Sequence, residues 1–235
     1  MNTVDTTRPP SRLRVGVITF VAIVVVLALY NVARSSIIPG DGHLVANVTI
    51  AVVVLLAGLA AGMGTAELGI ERKHLGDGVR LGAIVFGLIL VAVTIAAIVP
   101  FTSGYFDDAR VDVSFWQMVA RVLLVIPLGT VFVEEVIFRG VLHGLLRRRY
   151  AIVPAALIGA LLFGLWHLFP VWNSYSDVEP TDVNRWGNVV GTFIATFVAG
   201  LAFIWLRHRS QHLAAPILAH IGTNSIPFMW AWFVG

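Results

Sequence analysis

The stretch Val131-Phe-Val-Glu-Glu-Val-Ile-Phe-Arg-Gly140 places two glutamates and an arginine inside an apolar run. Each of these groups is costly to hold away from water, so their presence in such a run asks for a reason. The surrounding chain is strongly apolar: 58% of its 235 residues are hydrophobic and 12% are charged. A soluble domain of this length carries far more polar surface. There is no cysteine, which removes disulfides, thiolate catalysis and cysteine metal sites together.

Outward from that stretch, seven apolar segments are drawn, near 13–33, 44–63, 80–100, 115–146, 152–169, 188–206 and 213–233. Each is close to or above the roughly 20 residues that a spanning helix needs. The predicted fold is therefore an all-α, multi-spanning transmembrane helix bundle of about seven spans. The first segment is too long for a signal peptide and no clear A-x-A site follows, so it is read as a retained helix. The fourth is too long for one crossing, since 32 residues rise roughly 48 Å as a helix. Pro127 is expected to break it, leaving 115–126 as a tilted or interfacial piece. The connection 170–187 is read as a long loop anchored by Trp172, Tyr175 and Trp186, or as a lid.

The basic residues sort by loop. Eleven of the sixteen fall on one side: Arg8, Arg12, Arg14; Arg72, Lys73, Arg80; Arg147, Arg148, Arg149; and Arg207, Arg209. The other side holds Arg34, Arg110 and Arg185 together with Asp107, Asp108, Asp112, Asp177, Glu179 and Asp182. The positive-inside rule then puts the amino terminus in the cytoplasm and the carboxyl terminus outside. This asymmetry accounts for the high pI without a nucleic-acid partner; the expected partners are the lipid bilayer and a membrane-associated protein or peptide.

The polar residues deep in the late segments are Glu134, Glu135, Arg139, His167, His220 and Asn224. Counted from the helix ends on the basic side, Glu134 and His167 lie roughly 20 Å deep, and His220 and Asn224 roughly 10–16 Å. Glu135 and Arg139 are four apart and can pair. Glu134 is turned about 100° away and lacks that counter-ion. Phe163 with His167, and His220 with Asn224, share helix faces in the same way. Taken singly, each has a bland reading: a packing ion pair, a hydrogen-bonded histidine, an interhelical amide. His143 is read as packing near the Arg147 cluster, and His43, His74, His208 and His212 as loop residues. Gly159, Gly164, Gly191 and Gly200 are expected to allow close helix packing.

Buried carboxylate, imidazoles and an amide together suggest water activation beside an oxyanion site. There is no H-E-x-x-H motif, no mid-span G-x-S-x-G and no pair of membrane aspartates. Glu134-Glu135-x-x-x-Arg139, Phe163-x-x-x-His167 and His220-x-x-x-Asn224, flanked by F-R-G-V-L and A-P-I-L-A-H, resemble the CPBP family of intramembrane proteases. These are also called CAAX prenyl protease-like or Abi proteins. The resemblance covers roughly 118–226, so the chain divides into membrane helices without signature at 1–114 and a catalytic helical core at 115–235. It implies an intramembrane endopeptidase, in a bacterial plasma membrane, with Glu134 as general base and His167 holding the water. His220 and Asn224 would stabilise the oxyanion, while Glu135 and Arg139 would orient the site. No cofactor is expected; if zinc is present, Glu134, His167 and His220 are its ligands. Two readings from other classes stay open: an ion- or proton-coupled transporter, and a non-catalytic membrane scaffold or immunity protein.

Overall fold

The computed structural model describes residues 10–38, 42–106, 111–174 and 183–234. Arg8, Asp107, Asp108, Arg110, Tyr175, Asp177, Glu179, Asp182 and the side chain of Arg12, all used above in reading topology or anchoring, lie outside the described residues. Seven long helices carry the described fold: α1 Pro10–Ser36, α2 His43–Ala60, α3 Leu75–Ile98, α4 over 115–147, α5 Ile152–Ser174, α6 Val183–Ser210 and α7 Ala214–Val234.

Local chemistry sets several boundaries. Val99 leaves α3 in an extended conformation because it precedes Pro100, whose ring disfavours the helical region for its neighbour. Helix α4 opens on a capping box. The Gln117 amide donates to Ser114 Oγ at 3.4 Å, and the Ser114 amide donates to Gln117 Oε1 at 2.9 Å. Beyond this box the structure departs from the expected break at Pro127. The chain stays right-handed helical through it and alternates α with wider π turns at Arg121–Val125, Pro127–Val131 and Glu135–Leu142. Widening the turn relieves the clash of the proline ring with the preceding carbonyls, so the proline is absorbed instead of ending the helix. One exposed carbonyl at the wide turns is taken up from α2, where Asn47 Nδ2 donates to Gly129 O at 2.7 Å.

Helix α4 is the centre of the bundle. Every residue from Val133 to Leu146 is buried. Ile23 and Leu27 of α1, Val54 of α2, Ile137, Phe138 and Val141 of α4, and Phe163 and Trp166 of α5 form one apolar core. A second core joins Phe203 and Leu206 of α6 with Ala215 and Ala219 of α7 against Leu81 and Val85 of α3. Glycines bring α5 and α6 close, as expected at three of the four positions: a Cβ at Gly164 would lie 2.9 Å from Phe193, one at Gly200 3.1 Å from Ala160, and one at Gly159 3.2 Å from Ile204. Gly191 meets nothing within 4 Å, so it plays no such part. Ile18, Leu29, Leu56, Leu88 and Ile98 point outward and exposed, as lipid-facing side chains do.

Among the described residues, five helices are long and apolar enough to cross a membrane: Arg14–Ser36, His43–Ala60, Thr65–Ile98, Ile152–Ser174 and Asn184–Ser210. The protein is an all-α integral membrane protein, and the expectation of about seven spans is high by two on this standard. The remaining two helices, α4 and α7, carry most of the polar groups. Glu134, Glu135 and Arg139 in one, and His220, Thr223, Asn224 and Ser225 in the other, interrupt their apolar character. The expected long loop at 170–187 is also shorter than read, because α5 runs through Pro170 to Ser174 and α6 begins at Val183. Trp172 and Trp186 meet edge to face there at 5.1 Å, with the Arg185 guanidinium 3.7 Å from the Trp172 ring centre.

At the opposite end the basic connections gather. Arg148 Nε and Nη2 reach Glu67 Oε1 and Oε2 at 2.7 and 3.0 Å. Arg207 Nη2 donates to the carbonyls of Ala66 and Glu67 at 3.0 and 3.2 Å. Gly69 makes this possible: its φ of +75° is left-handed, and a Cβ there would stand 2.1 Å from Arg207 Nε.

Candidate active site

The site is assembled by α4, α5, α6 and α7 around the two glutamates. Glu135 is fully buried, and its Oε1 accepts from Arg139 Nη1 at 2.9 Å one turn later. The arginine is 1% exposed and lies between two aromatic faces, 3.9 Å from the Phe163 ring centre and 5.0 Å from that of Phe203. A carboxylate on one side and two π faces on the others are what make a buried guanidinium tolerable in an apolar bundle.

The same Glu135 oxygen accepts from His220 Nδ1 at 2.8 Å. A carboxylate can only accept, so Nδ1 carries the proton and the neutral ring presents a lone pair at Nε2. His167 is set in the same way by another acceptor, since its Nδ1 donates to Phe163 O at 2.8 Å. Both Nε2 atoms then face one oxygen. His167 Nε2 is 3.9 Å and His220 Nε2 3.8 Å from Glu134 Oε2. The other Glu134 oxygen, Oε1, accepts from Trp166 Nε1 at 3.1 Å. Aromatic rings hold both imidazoles: Phe163 edge to face with His167 at 4.7 Å, and Phe203 stacked on His220 at 4.7 Å.

Three acceptor atoms thus converge, and Glu134 Oε2 is buried without a hydrogen-bond partner. Such a cluster calls for a hydrogen-bond donor or a cation between its members. A water about 2.8 Å from Glu134 Oε2 and from one imidazole Nε2, donating one O–H to each, fits edges of this length. Zinc held at about 2.1 Å in a tetrahedron sets its ligand atoms about 3.4 Å apart. The edges here are wider than that, and among the described residues no group of three His, Cys, Asp or Glu side chains is arranged to hold a metal ion.

Five of the six residues singled out from sequence, Glu134, Glu135, Arg139, His167 and His220, therefore meet. Asn224 does not join them by a hydrogen bond. It stands one turn beyond His220 on α7, half-buried. The tautomer also bears on the oxyanion role expected of His220, because a neutral ring bonded to Glu135 through Nδ1 has no proton to donate from Nε2. Donation toward an oxyanion requires the imidazolium.

Sequence reasoning missed Trp166 and Phe203. Trp166 directly precedes His167, and a tryptophan in a span reads as an interfacial anchor; nothing local says that its indole faces Glu134. Its support comes from α1, where Asn31 Nδ2 donates to Trp166 O at 2.8 Å and the Tyr30 ring stacks at 6.2 Å. Residues 115–226 match a family model described as type II CAAX prenyl endopeptidase Rce1-like. Over this segment the chain is similar to the CPBP, or CAAX protease-like, family. All five residues that meet at Glu134, and Trp166, Phe203 and Asn224 with them, lie within the matched segment. No curated protein and no solved structure matches the chain.

Proposed function

We propose that the protein is an intramembrane endopeptidase of the CAAX protease type, hydrolysing a peptide bond with water activated by Glu134. The observation that carries this reading is the buried Glu134 Oε2 faced by His167 Nε2 at 3.9 Å and His220 Nε2 at 3.8 Å. A water there donates one O–H to Glu134 Oε2 and the other to His167 Nε2, which is the arrangement a general base needs. Glu134 takes a proton as the water oxygen bonds to the scissile carbonyl carbon. The carbonyl oxygen becomes an oxyanion. As the intermediate collapses, the C–N bond breaks and the Glu134 proton passes to the leaving amine. Asn224 supplies an amide donor to the oxyanion, and His220 does so as an imidazolium balanced by Glu135.

The water-bridging fit of the site favours a mechanism without metal. If zinc is bound, Glu134, His167 and His220 hold it and it supplies Lewis-acid polarisation of the carbonyl. The substrate class is a membrane-associated protein or peptide, and the family description points to a prenylated carboxyl-terminal motif as the first one to try. The orientation we favour has a cytoplasmic amino terminus and the basic end of the bundle at the cytoplasmic face.

Purified full-length protein in nanodiscs, offered prenylated and unprenylated peptides, tests the reading. Cleavage is expected from the wild type. Glu134→Gln should lose a factor of about 10² to 10⁴ with its melting temperature roughly kept. Near-normal turnover in Glu134→Gln would overturn the mechanism.

A further inference from the structure

A second polar cavity lies away from Glu134, at the basic end of the bundle. Its volume is about 310 Å³, and Arg147, Arg148, Arg207, His143, His208 and Gln211 line it. His208 was read from sequence as a loop residue, and His143 as a packing residue. The structure corrects the first, since His208 belongs to the last turn of α6. Its Nε2 lies 2.8 Å from His143 Nε2, and the two rings meet edge to face at 4.9 Å. Two neutral imidazoles share one proton across such a contact.

The charge in this cavity is one-sided. Glu67 is the acidic group among the described residues lining it, and both of its oxygens are engaged by Arg148. Arg147 and Arg207 meet backbone carbonyls instead: Arg147 Nη1 donates to Tyr150 O at 2.6 Å, and Arg207 Nη2 to Ala66 O and Glu67 O. Carbonyls satisfy donors but supply no counter-charge, and Glu71, which offsets part of the Arg207 charge, does not line the cavity. Burial sharpens the cost, because Arg207 is 5% exposed and its Nε has no hydrogen-bond partner.

Gln211 adds an independent observation. It is the non-glycine residue with positive φ among the described residues, at +56°. A position past a helix end with this backbone is normally given to glycine. Here the side chain folds back so that Nε2 donates to His208 O at 2.5 Å, which closes the end of α6 and holds the residue at the cavity wall.

From this juxtaposition we propose that the cavity bounded by Arg147, Arg207, the His143–His208 pair and Gln211 binds a phosphate-bearing anion. Guanidinium forks match the paired oxygens of a phosphate, and the volume exceeds what a chloride needs. The cavity sits where α4 and α6 end and α5 begins, at the ends of membrane-type helices. The phosphate can therefore come from an anionic lipid headgroup or from solution. The proposal stands independently of proteolysis at Glu134.

Full-length protein in phosphatidylcholine nanodiscs is melted with added inorganic phosphate, with chloride at equal ionic strength, or with phosphatidic acid in the disc. Ligand that binds the folded state raises the melting temperature. The wild type should rise with phosphatidic acid, with phosphate, or with both, and not with chloride. A rise with phosphatidic acid alone identifies a headgroup site; a rise with free phosphate identifies a soluble anion. Arg147→Gln removes one guanidinium that touches only a loop carbonyl, and Gln211→Glu adds a repelling charge. Each should weaken the apparent affinity by about tenfold or more. Two variants guard against one failing to fold. No rise in the wild type beyond chloride, or equal rises in wild type and both variants, would overturn the proposal.

Discussion

Glu135→Gln is the substitution whose cost the geometry defines most fully. In the wild type one fully buried oxygen accepts from Arg139 Nη1 at 2.9 Å and from His220 Nδ1 at 2.8 Å. The glutamine amide oxygen can still accept, but the negative charge is gone and Arg139 becomes an orphaned cation in an apolar bundle. Breaking a buried pair from one side costs about 3–5 kcal/mol. The Phe163 and Phe203 faces against Arg139 are the same in both forms and do not change this difference. A loss of about 3–5 kcal/mol is therefore expected, read as reversible unfolding in mixed micelles. Adding Arg139→Met to Glu135→Leu removes both charges at similar volume and should recover most of that stability. It should not recover peptide cleavage, because His220 loses the acceptor that sets its tautomer. If Glu135→Gln is as stable as the wild type, or the double variant is no more stable than Glu135→Gln, the assignment of Glu135 as the charge that holds Arg139 and His220 is wrong.

Trp166→Phe keeps the ring against Phe138 and Tyr30 but deletes the indole donor to Glu134 Oε1; stability should fall by about 1 kcal/mol and turnover by about tenfold. A rate equal to wild type would remove Trp166 from the site. Chelation should leave cleavage unchanged under the water-bridged reading, whereas zinc near one equivalent per chain, lost together with activity in His220→Ala, would make Glu134, His167 and His220 ligands. Reporter fusions should place the amino terminus in the cytoplasm and the carboxyl terminus outside; a cytoplasmic carboxyl terminus would show that α4 or α7 does not cross.

The sequence by itself determined the membrane class, because composition and apolar run length are enough to separate a bilayer protein from a soluble one. It also determined relations within single helices. Four-residue spacing paired Glu135 with Arg139 and set Phe163 against His167, and the offset of Glu134 from Glu135 turned it toward different neighbours. Those relations depend only on helical geometry, which survives even the π turns of α4. What crosses between helices was not legible. The approach of His167 and His220 to one Glu134 oxygen, the indole of Trp166 at the other, the support of Trp166 by Asn31 from α1, and the His143–His208 contact all depend on how far each helix is rotated and where it crosses its neighbours. Packing of the whole bundle sets those rotations. The passage through Pro127 was decided in the same way: the expected break follows from the proline alone, but the partners surrounding α4, including the Asn47 amide on Gly129 O, make a widened helix the better solution in a medium where a broken one would leave backbone groups without water.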